Sequence, residues 1–146
     1  LFRAIASATD YAHKPENRAD IIKAIAPANY LNQPIPVLEQ VMSGKFADGL
    51  GKVRTVPDRV DFDPFPWQSM AVWILTQMKR WGYIKGDVNY KQVAEEVFKA
   101  TDARKRMAEL GLAAPKDNYA KHTIMGKVFD PAKPDEYLKS FAIRRA

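Results

Sequence analysis

The sequence predicts a mainly helical single domain over residues 1–146, with a long glycine- and proline-rich loop and at most one or two short strands. Three observations carry that expectation. Residues 65–83 repeat their apolar side chains at the helical period. Prolines and glycines elsewhere fall where helices start and stop. Strand-like alternation is weak throughout.

The central stretch comes first because the rest is organised around it. It holds Trp67, Trp73 and Trp81, which are all 3 tryptophans of the chain. Wound at about 100° per residue, it gathers Trp67, Met70, Ala71, Trp73, Ile74, Leu75, Met78 and Trp81 into one arc, interrupted only by Gln77. Gln68, Ser69, Thr76, Lys79 and Arg80 take the opposite side, with Val72 the apolar exception. An arc that broad predicts a helix over residues 66–81 wrapped by neighbours along its apolar side, acting as core scaffold rather than as the wall of a ligand site. Pro66 suits the first turn, Lys79 and Arg80 suit the last, and Gly82 supplies a left-handed stop.

Before it, Phe2, Ile5, Ala6, Thr9 and Ala12 recur at helical spacing within residues 1–13. Pro15 opens a second helix over 15–26 with Ile21, Ile22 and Ile25 inward, and the two form a helical hairpin ended by Pro27. Residues 29–36 read as a turn anchored by Tyr30 and Leu31. Pro36 starts a short helix carrying Val37, Leu38 and Val41, stopped at Ser43-Gly44. Residues 45–64 contain Gly49, Gly51, Pro57 and Pro64, which exclude a long helix. A loop of that length is uncommon unless it packs on something or acts.

After it, Asn89 and Gln92 have capping-box spacing, ahead of a helix with Val93, Ala94, Val97 and Phe98 inward. Thr101 or Asp102 caps a further helix carrying Ala103, Met107 and Leu110, closed by Gly111. Residues 113–131 read as irregular. Pro134 opens a last helix with Tyr137, Leu138 and Phe141.

Composition narrows the function classes. The chain has 146 residues, 47% hydrophobic and 27% charged, which suits one soluble globular domain. With 0 cysteines, disulfides and thiolate metal sites are excluded. No apolar run approaches the ~20 residues a membrane helix needs. The net charge of +6 attracts anions. The first residue is Leu1, so a processed chain or a piece of a longer one is expected.

Catalytic chemistry is not expected. His13 reads as a solvated or capping residue, and His122 as a surface histidine with anion contact as the alternative. Neither a nucleophile elbow nor a cysteine nucleophile is present. Asp61 and Asp63 stand beside Pro64 without a nearby histidine, so a turn role outranks a metal site. The loop 47–52 lacks the spacing of a phosphate-cradling loop. Arg104, Lys105 and Arg106 point about 100° apart on a helix, giving a solvated face and not a nucleic-acid stripe.

Read in order, several stretches resemble one family. Pro15-Glu16-Asn17-Arg18 and Tyr30-Leu31-Asn32-Gln33-Pro34 are followed by Phe65-Pro66-Trp67-Gln68-Ser69, Val72-Trp73-Ile74-Leu75-Thr76-Gln77 and Arg80-Trp81-Gly82. Phe129-Asp130-Pro131, Pro134-Asp135-Glu136-Tyr137-Leu138 and Ile143-Arg144-Arg145 complete the set. Together they resemble the nitrate-, nitrite- and bicarbonate-binding proteins of bacterial ABC importers. The chain departs from the family's pattern at Met70 and Ala71, where a histidine and an acidic residue are common.

The resemblance implies the helical carboxyl-terminal portion of a two-lobed α/β periplasmic-binding-protein fold. It implies a non-catalytic part of a receptor for a small oxyanion, most naturally nitrate, with nitrite or bicarbonate as alternatives. The partners implied are the anion, an amino-terminal α/β portion of the same protein and the transporter's membrane components, with no cofactor and no nucleic acid; no metal-ligating residue is assigned in this chain. A periplasmic or outer-face location follows. The anion-contacting residues of the family align upstream of Leu1, so none is assigned in this chain. The alternative is a cytoplasmic nitrate-sensing or regulatory module, including the receptor-like extension of a transporter ATPase. Under either reading, the apolar arc of the central helix suits a piece that packs on an absent sheet.

Overall fold

In the computed structural model, residues 1–57, 59–60, 62–124 and 126–142 are described. They divide into two compact units, Leu1–Pro64 and Phe65–Ala146. Helix dominates and the strands are short, as the sequence predicts.

The first unit begins with α1 (Phe2–His13), a 3₁₀ turn at Pro15–Asn17 and α2 (Arg18–Ile25). The His13 ring donates to the Thr9 carbonyl at 3.1 Å, the capping role expected of it at a helix end. A tight turn follows, in which the amides of Leu31, Asn32 and Gln33 donate back to the carbonyls of Ile25, Pro27 and Ala26. Tyr30 and Leu31 are exposed there, so the turn is fixed by its backbone and not by those two side chains. α3 (Ile35–Ser43) packs on α2 around Ile22, Leu38 and Met42, with Ile21, Ile25 and Val60 against them. Gly44 ends α3 with φ +70° and leads into the antiparallel hairpin β1 (Lys45–Ala47) and β2 (Val53–Thr55), where Phe46 faces Arg54. These are the short strands the sequence allowed.

The second unit contains α4 (Gln68–Arg80), α5 (Tyr90–Val97), α6 (Ala100–Glu109), β3 (His122–Ile124), β4 (Lys127–Phe129) and α7 (Pro134–Lys139). Its core is Ala71, Val72, Ala94, Phe129, Tyr137 and Phe141, with Trp73, Tyr90, Phe98, Tyr119 and Ile124 packed on it. Phe129, Tyr137 and Phe141 meet edge to face at 5.0 and 5.1 Å, the arrangement aromatic quadrupoles favour. The Tyr137 hydroxyl accepts from the Trp73 indole at 3.3 Å and donates to the Ile124 carbonyl at 3.2 Å. Two helix stops and one cap are as read, while α4 begins at Gln68, past Pro66. Gly82 (φ +76°) and Gly111 (φ +70°) each close a Schellman-type stop, in which the amides of Tyr83 and Leu112 reach back to the carbonyls of Met78 and Met107. Asn89 accepts from the Gln92 amide at 3.2 Å as a cap.

Several expectations are corrected. The segment read as irregular, 113–131, contains the antiparallel pair β3–β4 with His122 opposite Phe129. Lys99, not Thr101 or Asp102, precedes the first turn of α6, and Val97 is exposed. The largest correction concerns α4. Its buried residues are Gln68, Ser69, Ala71, Val72, Thr76 and Arg80, of which Ala71 was expected inside, as was Trp73, which packs on the core, while Gln68, Ser69, Thr76 and Arg80 come from the side assigned to solvent. Ile74, Met78 and Trp81, expected inside, are 42%, 38% and 43% exposed. Hydropathy misled here because the inward polar groups are satisfied at home. Thr76 Oγ1 donates to the Trp73 carbonyl at 2.6 Å, and the Arg80 guanidinium stacks over the rings of Phe141 and Trp81 at 3.9 and 4.7 Å.

Candidate functional site

The amino-terminal end of α4 is where the described polar side chains converge. Ser69 is fully buried, its Oγ 2.8 Å from His122 Nε2 and accepting from the Ala120 amide at 3.3 Å. His122 also meets the Trp67 ring edge to face at 5.6 Å. It is therefore half-buried on β3 and not the free surface histidine expected. Gln68 donates its amide nitrogen to the Phe98 carbonyl at 3.1 Å, and its backbone amide to the Asn118 carbonyl at 2.9 Å. Arg104 leaves its own cluster to bind the Pro115 carbonyl at 2.8 Å and Asn118 Oδ1 at 2.6 Å, and lies over the Phe65 ring. These bonds tie residues 115–122 to the start of α4.

A serine and a histidine at hydrogen-bond distance resemble a nucleophile and its base. Burial argues otherwise, since Ser69 has 0% exposure and no substrate can reach its oxygen. The pair is a tether. Ser69→Ala is expected to cost about 1–3 kcal/mol, because it removes a buried hydroxyl that bridges His122 and the half-buried Ala120 amide. Urea denaturation checks this, and a loss well under that range would mean the tether is dispensable.

Opposite this polar seam runs the outward line of α4. Met70, Ile74 and Met78, continued by Trp81 just past the helix end, follow one another at spacings of three and four, the geometry of one helix face. The first unit has its own apolar feature, a groove of about 670 Å³ lined mainly by Ile5, Tyr11, Ile21, Ile25, Met42 and Phe62.

Charged groups sit in local pairs. Lys14–Asp10 and Lys121–Asp130 are 2.8 and 2.7 Å apart, and Lys91 pairs with Glu95. The Lys121 ammonium, with the Ala132 amide, holds the Asp130 carboxyl below its ordinary range. Burial pushes the Tyr119 phenol up. Of the basic cluster, Arg106 pairs with Glu109 and Lys105 is exposed, while Arg104 turns inward as described above. Asp61 lies outside the described residues, as does the tail segment with Arg144 and Arg145; Asp63 is exposed. No group of three or more potential metal ligands occurs among the described residues. Nor is any described helix long and apolar enough to cross a membrane.

The glycine loop 47–52 is a hairpin turn built on its own anion. Asp48 accepts from the amides of Leu50 (2.8 Å) and Lys52 (3.1 Å) and from Arg54 (3.1 Å). The Leu50 amide, then Arg54 and Lys52, hold its carboxyl below the ordinary 3.8. Because the folded value is depressed, this stabilisation is complete above about pH 3.8 and is lost as pH falls through the lower folded value. Amide exchange at Leu50 and Lys52 is expected to accelerate in that window, and Asp48→Asn to remove the pH dependence.

Comparison with known proteins returned no matching family model. The chain is 27% identical over 155 residues to the nitrate/nitrite binding protein NrtA of Nostoc sp., spanning 99% of this chain and 35% of that protein. It is 21% identical over 169 residues to the bicarbonate-binding protein CmpA of Synechococcus elongatus, spanning 100% and 36%. A nitrate import ATP-binding protein, NrtC of Synechocystis sp., matches at 26% over 99% of this chain and 22% of its own length. Among solved structures, the periplasmic nitrate-binding protein NrtA from Synechocystis PCC 6803 superposes with a TM-score of 0.85 at 21% identity, over 99% of this chain and 40% of that one. The chain thus spans about a third of the length of the binding proteins it matches.

Proposed function

By sequence and fold the chain belongs to the nitrate/nitrite- and bicarbonate-binding protein family, and on that premise we propose that it is the carboxyl-terminal portion of an ABC-importer receptor for a small oxyanion, nitrate first. The observation that carries this reading is similarity along 99% of the chain to a nitrate/nitrite binding protein, joined to a fold match of the same extent. The receptor is non-catalytic, needs no cofactor, and works in the periplasm by closing two lobes on its ligand. Its anion contacts lie upstream of Leu1, on an amino-terminal α/β portion of the same protein, and its loaded form docks on the transporter's membrane components. The net charge of +6 helps draw anions toward it.

Titration calorimetry of the polypeptide as encoded, with nitrate, nitrite, bicarbonate and chloride in turn, tests this. Saturable heat is expected from one or more of the first three and none from chloride. Silence from all of them would overturn it.

One observation favours a second reading. The same segment matches a nitrate import ATP-binding protein over 99% of its length. It would then be the receptor-like extension of an ATPase, or the cytoplasmic sensor of a nitrate-responsive switch. The coding sequence upstream of Leu1 separates these: a leader peptide marks the receptor, an ATPase domain the extension.

A further inference from the structure

The glycine loop of the first unit carries a latent chemistry that oxyanion binding does not use. Asp48–Gly49 is the one Asp–Gly step in the sequence, and no Asn–Gly step occurs. An Asp–Gly step is the aspartyl sequence most prone to isomerise, because glycine presents its amide nitrogen with no side chain in the way. The Gly49 nitrogen attacks Cγ of Asp48 and loses its proton, while one carboxyl oxygen departs as water. The succinimide ring so formed takes up water at either carbonyl. Opening at the Asp48 main-chain carbonyl leaves isoaspartate, in which the chain runs through the side-chain methylene. One water leaves and one returns, so mass is unchanged.

The backbone of the loop is open to this reaction. Gly49, Leu50 and Gly51 are exposed, and nothing lies within 4 Å of a Cβ placed on Gly49. The carboxyl is not. The Asp48 side chain keeps only 7% of its surface exposed. Its Oδ1 accepts from the amides of Leu50 and Lys52, and its Oδ2 from Arg54 Nε. The Asp48 amide donates to the Lys52 carbonyl at 2.9 Å, closing the turn from the main-chain side. Ring closure requires Cγ to swing out of the three carboxyl bonds, and departure of water requires a proton on an oxygen. The same donors hold that carboxyl ionised, which leaves it a poor electrophile.

We propose that Asp48–Gly49 is a modification site, an isoaspartate switch kept shut by the closed β1–β2 turn and released only when that turn opens. Isoaspartate adds a methylene to the main chain and withdraws the carboxyl from the Leu50 and Lys52 amides. The turn then does not re-form, and the chain keeps a permanent record of having opened there. No ligand is involved, so the switch stands or fails apart from oxyanion binding.

Ageing the polypeptide as encoded at neutral pH in heavy-oxygen water, once native and once unfolded in urea, tests this. Peptide mapping reads isoaspartate at residue 48, and the oxygen label marks every chain that has passed through the ring. The native protein is expected to react at least about tenfold more slowly than the unfolded one, since only its open fraction is reactive. Arg54→Ala removes one donor and is expected to raise the native rate roughly threefold. Gly51→Ala, strained at φ +85°, loosens the turn without touching the step and is expected to raise it roughly tenfold. Neither variant changes the rate in urea. Equal native and unfolded rates overturn the proposal, as does a native rate indifferent to both variants. Absence of isoaspartate and of label from the unfolded chain overturns it as well.

Discussion

Phe129→Ala is expected to destabilise the second unit by roughly 3–5 kcal/mol, the cost of emptying a buried aromatic site. Phe129 is 0% exposed and lies against Tyr137, which in turn meets Phe141, so the cavity opens in the middle of a three-ring stack. The stack cannot collapse cheaply. Tyr137 is pinned by bonds to Trp73 and Ile124, and Phe129 is held opposite His122 in the β3–β4 pair. Val128 is the control. It sits next in the strand but is 65% exposed, so Val128→Ala should change stability by no more than about 0.5 kcal/mol. Urea midpoints followed by circular dichroism compare the two, and similar midpoints would show that the ring stack is not the core of this unit.

Gly44→Ala has the second-largest expected effect, in the first unit and by a different mechanism. Gly44 has φ +70°, a left-handed conformation costing a side-chain-bearing residue about 1–2 kcal/mol. An added Cβ would also stand 2.0 Å from the Val56 carbonyl oxygen and 2.7 Å from its carbon. Both are backbone atoms, so relief requires moving the chain. That movement breaks the 2.7 Å bond from the Val56 amide to the Gly44 carbonyl, which holds the exit of β2 against the end of α3. Adding overpacking of about 1–3 kcal/mol gives a total near 3–4 kcal/mol. Gly49→Ala separates strain from clash. Its φ is +75° but nothing lies within 4 Å of its Cβ, so only the conformational cost of about 1–2 kcal/mol is expected. Equal losses at the two glycines would remove the clash from the explanation.

The fold was largely legible in the sequence because its punctuation is local. Gly44, Gly82 and Gly111 stop helices by adopting conformations few other residues tolerate, and Asn89 caps through its own side chain. Such signals need no tertiary context. What was not legible depends on context. The β3–β4 hairpin is two three-residue strands, too short to establish alternation, and its pairing is stabilised by the burial of one residue, Phe129. The polar side of α4 was placed in solvent because hydropathy counts side chains and not their partners, although Ala71 and Trp73 of the expected arc do reach the core. Ser69 and Thr76 lie inside because His122, Ala120 and the Trp73 carbonyl satisfy them.

The candidate site was legible in the opposite sense. Motif order across the chain indicated the family, while His122 and Arg104 gave no sign of their part-buried bonds. His122 is 53 residues from its serine, and Arg104 is 14 from Asn118. Spacing of that kind carries no periodic signal. The proposed reading as an oxyanion-receptor segment is supported by that motif order and by the similarity to nitrate- and bicarbonate-binding proteins.

A crystal structure of the polypeptide as encoded, grown with nitrate, tests that reading most directly. The account predicts one anion held between two lobes by residues outside these 146. An anion held by residues of this segment would contradict it.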